Sequence, residues 1–196
     1  MGPGSVPVAA RCDRATTPRR GPAYDAGVRA EDLLILFDHL YFVRDTILET
    51  ARRAPSALID PAPATIRDLR TTLVHELDVE WSWRERLDGP NPLAFDEAID
   101  ELTVEDLPDL DAIADRWRAD EAEMRAWIAR LGDDGLNGPC RAETSTQHPI
   151  WYHLLHLYTH GIQQFSDAAV LLTAAGHSPG ELDFLDFLER RAAAGS

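Results

Sequence analysis

The sequence contains no lysine. All 19 of its basic side chains are arginines, against 34 aspartates and glutamates, and the formal net charge is -15. Binding to a phosphate backbone depends on clusters of basic side chains, so this charge balance argues against a nucleic-acid partner. It favours a soluble protein and carries little information about the fold.

Cysteine and long apolar segments are also scarce. Cys12 and Cys140 are the two cysteines, too few for the disulfide framework of a small secreted domain. No apolar run approaches the ~18 residues that a membrane-spanning helix needs, and the first residues lack the apolar core of a signal peptide. These absences predict a reduced, cytoplasmic protein without a membrane segment.

Helical periodicity is what the sequence has in abundance. Apolar residues recur at i, i+3 and i+4 in four long segments, and we predict helices over 30–53, 66–87, 110–131 and 149–175. A short fifth helix is predicted over 182–190, and no segment alternates as a strand would. The predicted fold class is therefore all-α, an up-down four-helix bundle with a short C-terminal helix.

The predicted domain organisation is simple. Residues 1–28 are rich in Pro, Gly, Ala and Arg without periodicity, which predicts a disordered N-terminal tail, and residues 29–196 form one bundle domain. Thr65 is predicted to cap the second helix, while Gly132 and Gly176 are predicted to end the third and the fourth.

The fourth predicted helix carries a row of polar side chains, namely His153, His156, His160, Gln164 and Asp167. At about 100° per residue, these five positions fall within an arc of roughly 80° on the helix surface. Residues four apart on a helix have side chains ~5–6 Å apart, so two such imidazoles can bind one metal ion. The spacing of His156 and His160 therefore suggests a metal site.

A third ligand would have to come from another helix of the bundle. His75 is the leading candidate and His39 the second. His75 lies on a face of small side chains, which either is solvated or lines a cavity, whereas a single histidine such as His39 is more often a packing or surface residue. The alternative is that all these histidines are hydrogen-bonded locally and bind no metal.

Two segments carry a family resemblance. RTTLVHELDVEWSWRERL and PIWYHLLHLYTHGIQQFSDAAVLLTAAGHSPGELDFLDFL resemble the DinB-like family, and the resemblance spans about residues 30–192. That family consists of four-helix bundles and includes thiol-dependent transferases and mycothiol-dependent maleylpyruvate isomerases of bacteria. Its metal ligands are one histidine on the second helix and two on the fourth. Matched onto this sequence, these positions are His75, His160 and Gln164.

Gln164 departs from the family pattern, since an amide oxygen is a weaker zinc ligand than an imidazole. Three outcomes remain open: Gln164 binds through its oxygen, His156 replaces it, or the metal is lost. The resemblance otherwise implies a divalent ion, zinc first with nickel or iron as alternatives. It places His156 or Asp167 in orienting or proton-transfer roles.

The implied function is the transfer or use of a low-molecular-weight thiol, such as mycothiol, on a small electrophilic substrate, because a metal-bound thiol ionises at neutral pH. One alternative is a non-catalytic bundle that has weakened or lost its metal and binds a small molecule among Trp81, Trp151 and Tyr158. Another is a metal-assisted hydrolase. A homodimer is an open alternative to a monomer.

Overall fold

A computed structural model of the protein describes residues 27–55, 65–88, 101–140 and 148–195. The predicted N-terminal tail falls outside these residues, except for Gly27 and Val28 at its end. Most of the segments predicted to link the helices also fall outside them.

Five helices make up the described fold. They are α1 (Ala30–Arg52), α2 (Leu69–Asp88), α3 (Leu110–Asn137), α4 (Ile150–Ala174) and α5 (Phe184–Ala194). The described residues contain no strand, and a single bridge between Pro139 and Pro149 joins the end of α3 to the start of α4. The predicted all-helical class is confirmed.

The start of α2 differs from the prediction. The helix begins at Leu69 instead of residue 66, and the Asp68 carboxylate accepts a hydrogen bond from the Thr71 amide at 2.7 Å. The hydroxyl of Thr65 instead donates to the carbonyl oxygen of Arg67 at 2.8 Å. The prediction that Thr65 caps α2 was therefore wrong, because Asp68 satisfies the free amide at the helix start.

The end of α3 also differs. Gly132 leaves the helical conformation with φ 58 and ψ -175, but the chain then continues helically to Asn137. A positive φ of this size favours glycine, which has no Cβ. The added turn has a structural role, because Asn137 accepts from the Val28 amide at 3.2 Å and donates to the Val28 carbonyl at 2.8 Å. Asn137 thus anchors the segment that leads into α1.

The end of α4 follows the prediction. Gly176 has φ 86, and its amide donates to the Thr173 carbonyl at 3.0 Å. The His177 amide donates to the Leu172 carbonyl at 2.8 Å, which completes a Schellman motif.

The core lies between the four long helices. α4 packs on both α1 and α2, and α1 packs on α3. The four largest fully buried side chains are Trp117, Trp127, Phe37 and Phe165, from α3, α1 and α4, and α2 adds Leu69, Leu73 and Leu77. None of the described helices is long and apolar enough to cross a membrane.

Polar side chains are buried within this core as well. Glu80 of α2 accepts hydrogen bonds from the Tyr41 hydroxyl at 2.5 Å and from Trp117 Nε1 at 2.9 Å. One turn later, Arg84 forms an ion pair with the buried Asp120 at 2.5 Å. These contacts join α2 to α1 and α3, and thereby fix which face of α2 is turned toward α4.

Candidate metal centre

His75 of α2 and His160 of α4 lie next to each other. Their ring centroids are 5.5 Å apart and the rings meet edge to face, with both side chains half-buried. Burial lowers the pKa of both imidazoles, as does the positive charge of Arg67, and His160 lowers the pKa of His75 further. The two rings are therefore neutral at neutral pH, which is the form that binds a metal ion.

A buried carboxyl group lies against this pair. Glu76 is 1% exposed, and its Oε2 is 2.6 Å from Nδ1 of His160. Burial raises the pKa of Glu76 well above its usual value. Sequence analysis missed Glu76, although its position three residues after Leu73 already put it beside the apolar stripe of α2.

Gln164 is half-buried, one turn after His160. Its Oε1 is buried and has no hydrogen-bond partner among the described residues. Leaving a buried acceptor unpaired costs about 1–3 kcal/mol, so an oxygen of this kind suits a site that a ligand completes. The donor set of two neutral imidazoles and a free amide oxygen fits a divalent ion.

The described parts of the chain hold no cluster of three histidine, cysteine, aspartate or glutamate side chains that could bind a metal ion. Among the described residues, the amide of Gln164 is then the candidate for a third ligand beside His75 and His160.

His156 and His153 belong to a neighbouring group of rings around Trp83. The His156 side chain is exposed, with its ring centroid 6.1 Å from that of His160 and 5.7 Å from that of Trp83. His153 stacks on Trp83 at 5.7 Å. Burial lowers the pKa of His153, followed by the charges of His148 and His156.

Two other candidates lie away from the pair. Asp167 is exposed, and no described hydrogen bond or ion pair of its side chain reaches His75 or His160. His39 is buried, and its ring nitrogens contact the Tyr158 hydroxyl at 3.1 Å and the Leu182 carbonyl at 3.0 Å. His39 is therefore a packing residue and was wrong as the second candidate for a ligand, because both of its nitrogens already have partners.

The aromatic residues expected to line a binding cavity each have a different neighbour. The guanidinium of Arg116 lies 5.0 Å from the ring centroid of Trp81. The ring centroids of Trp151 and Tyr152 are 4.3 Å apart, and the Tyr158 hydroxyl contacts His39 of α1.

A cavity of about 570 Å³ lies elsewhere, between the last turn of α1 and the first turn of α3. Its described lining includes Ala51, Arg70 and Ile113 and contains no histidine. The imidazole pair and this cavity are therefore separate features.

No model of a known protein family matches the chain, and no curated protein matches it.

Proposed function

We propose that this protein is a divalent-metal-dependent enzyme of the DinB-like superfamily, and that it transfers or uses a low-molecular-weight thiol, of the mycothiol kind, on a small electrophilic substrate. The observation that carries the proposal is the approach of His75 and His160, with their ring centroids 5.5 Å apart. Gln164 follows His160 by one helical turn, and its buried Oε1 has no hydrogen-bond partner among the described residues. An up-down arrangement of the four long helices belongs to the same proposal.

His75 and His160 would hold the ion through ring nitrogens, and Gln164 through Oε1. Zinc suits such a set first, with nickel or iron as alternatives. When bound, the ion would act as a Lewis acid that lowers the pKa of a coordinated thiol, so that the thiolate exists at neutral pH.

Other side chains of the chain would assist. The positive charge of Arg67 acts on both imidazoles, and it would also attract an anionic thiolate or substrate. His156 and Asp167 remain the candidates for orienting groups or proton transfer. His156 is the better placed of the two, because its ring centroid lies 6.1 Å from that of His160.

Metal binding tests the proposal most directly. The tag-free protein is stripped of metal, loaded with zinc, and studied by elemental analysis and calorimetric titration. We expect one ion per chain in the wild type and at least about tenfold weaker binding in His160→Ala. Gln164→His should bind zinc more tightly, since it replaces an amide oxygen by an imidazole.

Gln163→Ala is the matched control, because Gln163 is the exposed neighbour of Gln164 on the same helix. It should bind zinc as the wild type does. If the wild-type protein holds far less than one zinc ion per chain after loading, the metalloenzyme proposal is wrong.

Thiol use requires a separate assay. An electrophile is incubated with the zinc-loaded protein, with and without an added low-molecular-weight thiol. Turnover that requires the thiol is expected for the proposed transferase. Turnover at the same rate with and without the thiol would instead support a metal-assisted hydrolase, in which the open metal position activates water.

One observation favours a second candidate function. Because the described residues offer two histidines and only an amide as a third ligand, a non-catalytic bundle that has weakened or lost its metal would also fit. Such a protein would bind a small molecule equally well with and without zinc. In either case we propose a cytoplasmic bacterial protein whose partners are small molecules and do not include nucleic acid. A homodimer is an open alternative to a monomer.

A further inference from the structure

The contact between Glu76 and His160 joins two distant parts of the chain. Glu76 Oε2 lies 2.6 Å from His160 Nδ1, and the carboxyl group is buried between α2 and α4. A separation this short indicates a strong hydrogen bond between the two side chains. The contact therefore fixes the orientation of the His160 ring.

Gly161 makes room for this carboxyl group. A Cβ atom at position 161 would lie 2.7 Å from Oε1 of Glu76 and 2.7 Å from Cδ1 of Leu40. Real Cβ atoms do not approach other atoms so closely, so any larger residue would push Glu76 or Leu40 aside. Both helices thus contribute to the position of the carboxyl group. α2 carries Glu76, and α4 leaves space for it because Gly161 has no side chain.

The hydrogen bond bears on which nitrogen of His160 can bind a metal ion. A neutral imidazole carries one proton, and only the nitrogen without that proton can act as a ligand. With Nδ1–H donating to Glu76, the lone pair is on Nε2, on the far side of the ring from the carboxyl group. Histidines that bind metal ions commonly have their second nitrogen held in this way.

We propose that Glu76 is a positioning residue, which accepts the Nδ1–H of His160 and so keeps Nε2 free to bind the ion. This inference rests on the proposed metal site, but the placement of the proton is a property of the metal-free protein as well. It can therefore be tested even if the metal site itself proves wrong.

The test combines NMR and metal titration. Long-range proton–nitrogen spectra of the metal-free protein at pH 7.5 report which nitrogen of His160 is protonated. We expect Nδ1–H in the wild type and loss of that preference in Glu76→Leu. Zinc affinity should fall about 10–100-fold in Glu76→Leu, and less in Glu76→Gln, which keeps an acceptor oxygen of the same reach.

Gly161→Ala provides a second route to the same result, because it displaces the carboxyl group without removing it. It should reproduce the change at His160 and weaken zinc binding. If Glu76→Leu does not fold, Glu76→Gln and Gly161→Ala decide the question. Glu80→Gln is the matched control, since it alters a buried glutamate one turn away that bonds to Tyr41 and Trp117 instead.

The outcomes separate the two proposals. A wild-type His160 protonated at Nε2, or a Glu76→Leu variant with the wild-type proton placement, would overturn the role of Glu76. A wild type with Nδ1–H that fails to bind zinc would leave the role of Glu76 supported and would refute the metal site alone.

Discussion

Glu80 is completely buried among the described residues, and its pKa is raised from 4.5 to about 8. Burial is the main cause, followed by the negative charge of Asp120, while the hydrogen bonds from Tyr41 and Trp117 act in the opposite direction. The carboxyl group is therefore largely protonated in the folded protein at neutral pH, whereas it is ionised in the unfolded chain.

This difference predicts how stability depends on pH. Because the folded state holds the proton more tightly, the contribution of Glu80 is fully present below pH 4.5 and is lost as the pH rises toward about 8. We expect urea unfolding to show decreasing stability from pH 6.5 to 8, and a flatter profile for Glu80→Gln. Between pH 6.5 and 8 the wild type should lose roughly 2 kcal/mol of stability relative to the variant.

Above pH 6.5 the titration of His75, His153 and His160 interferes little, because their pKa values are lowered below 6.5. These three histidines destabilise the folded state as the pH falls through and below 6.5, which is the opposite pH dependence. Glu76, whose pKa burial also raises, acts in the same direction as Glu80, and the comparison with Glu80→Gln removes its contribution. Glu189→Gln, at an exposed position of α5, should leave the slope unchanged. Equal slopes for the wild type and Glu80→Gln would contradict the prediction.

At the scale of the elements, α5 depends on α1. His39 of α1 is hydrogen-bonded to the Leu182 carbonyl, just before α5, and its ring meets that of Phe184 edge to face at 5.2 Å. It is also hydrogen-bonded to Tyr158 of α4. One buried histidine thus joins three parts of the chain, which explains why it is unsuited to be a metal ligand.

His39→Ala should loosen α5 and spare the rest of the bundle. The variant loses two hydrogen bonds and the ring contacts with Phe184 and Phe187 of α5. We therefore expect the amides of 184–194 to exchange at least about tenfold faster with deuterium. Mass spectrometry of peptides from α5 and α3 would measure this. His177→Ala serves as the control, and faster exchange spread evenly over all helices would contradict the local role of His39.

At the scale of the whole molecule, the net charge of -15 is the main electrostatic feature. Arginines form ion pairs between helices, as Arg125 does with Asp38 at 2.5 Å and the buried Arg44 with Glu121 at 2.7 Å. These pairs offset the excess of acidic groups locally, but they do not remove the mutual repulsion of the remaining negative charges.

Salt should therefore stabilise the protein. Raising sodium chloride from about 10 to 150 mM shortens the screening length from about 30 to 8 Å, which weakens long-range repulsion. We expect the Tm, measured by circular dichroism, to rise by a few degrees. Chloride is preferable to sulfate, because sulfate stabilises folded proteins by exclusion. A lower Tm in salt would mean that the ion pairs outweigh the repulsion.

The sequence by itself determined the helices and most of their buried faces, because apolar periodicity is a local property of each segment. It predicted the end of α4 at Gly176 for the same reason. Its errors were at Thr65 and Gly132, where a neighbouring residue or one further turn changed the helix end.

The sequence also found the polar row on α4, but not which of its members meet another helix. Only the tertiary structure decided that His160 lies against His75 and Glu76, which is 84 residues away along the chain. It likewise decided that Gln164 buries an oxygen with no partner among the described residues, and that both ring nitrogens of His39 already have partners. Such pairings depend on how helices pack on one another, and no local pattern of residues encodes that packing.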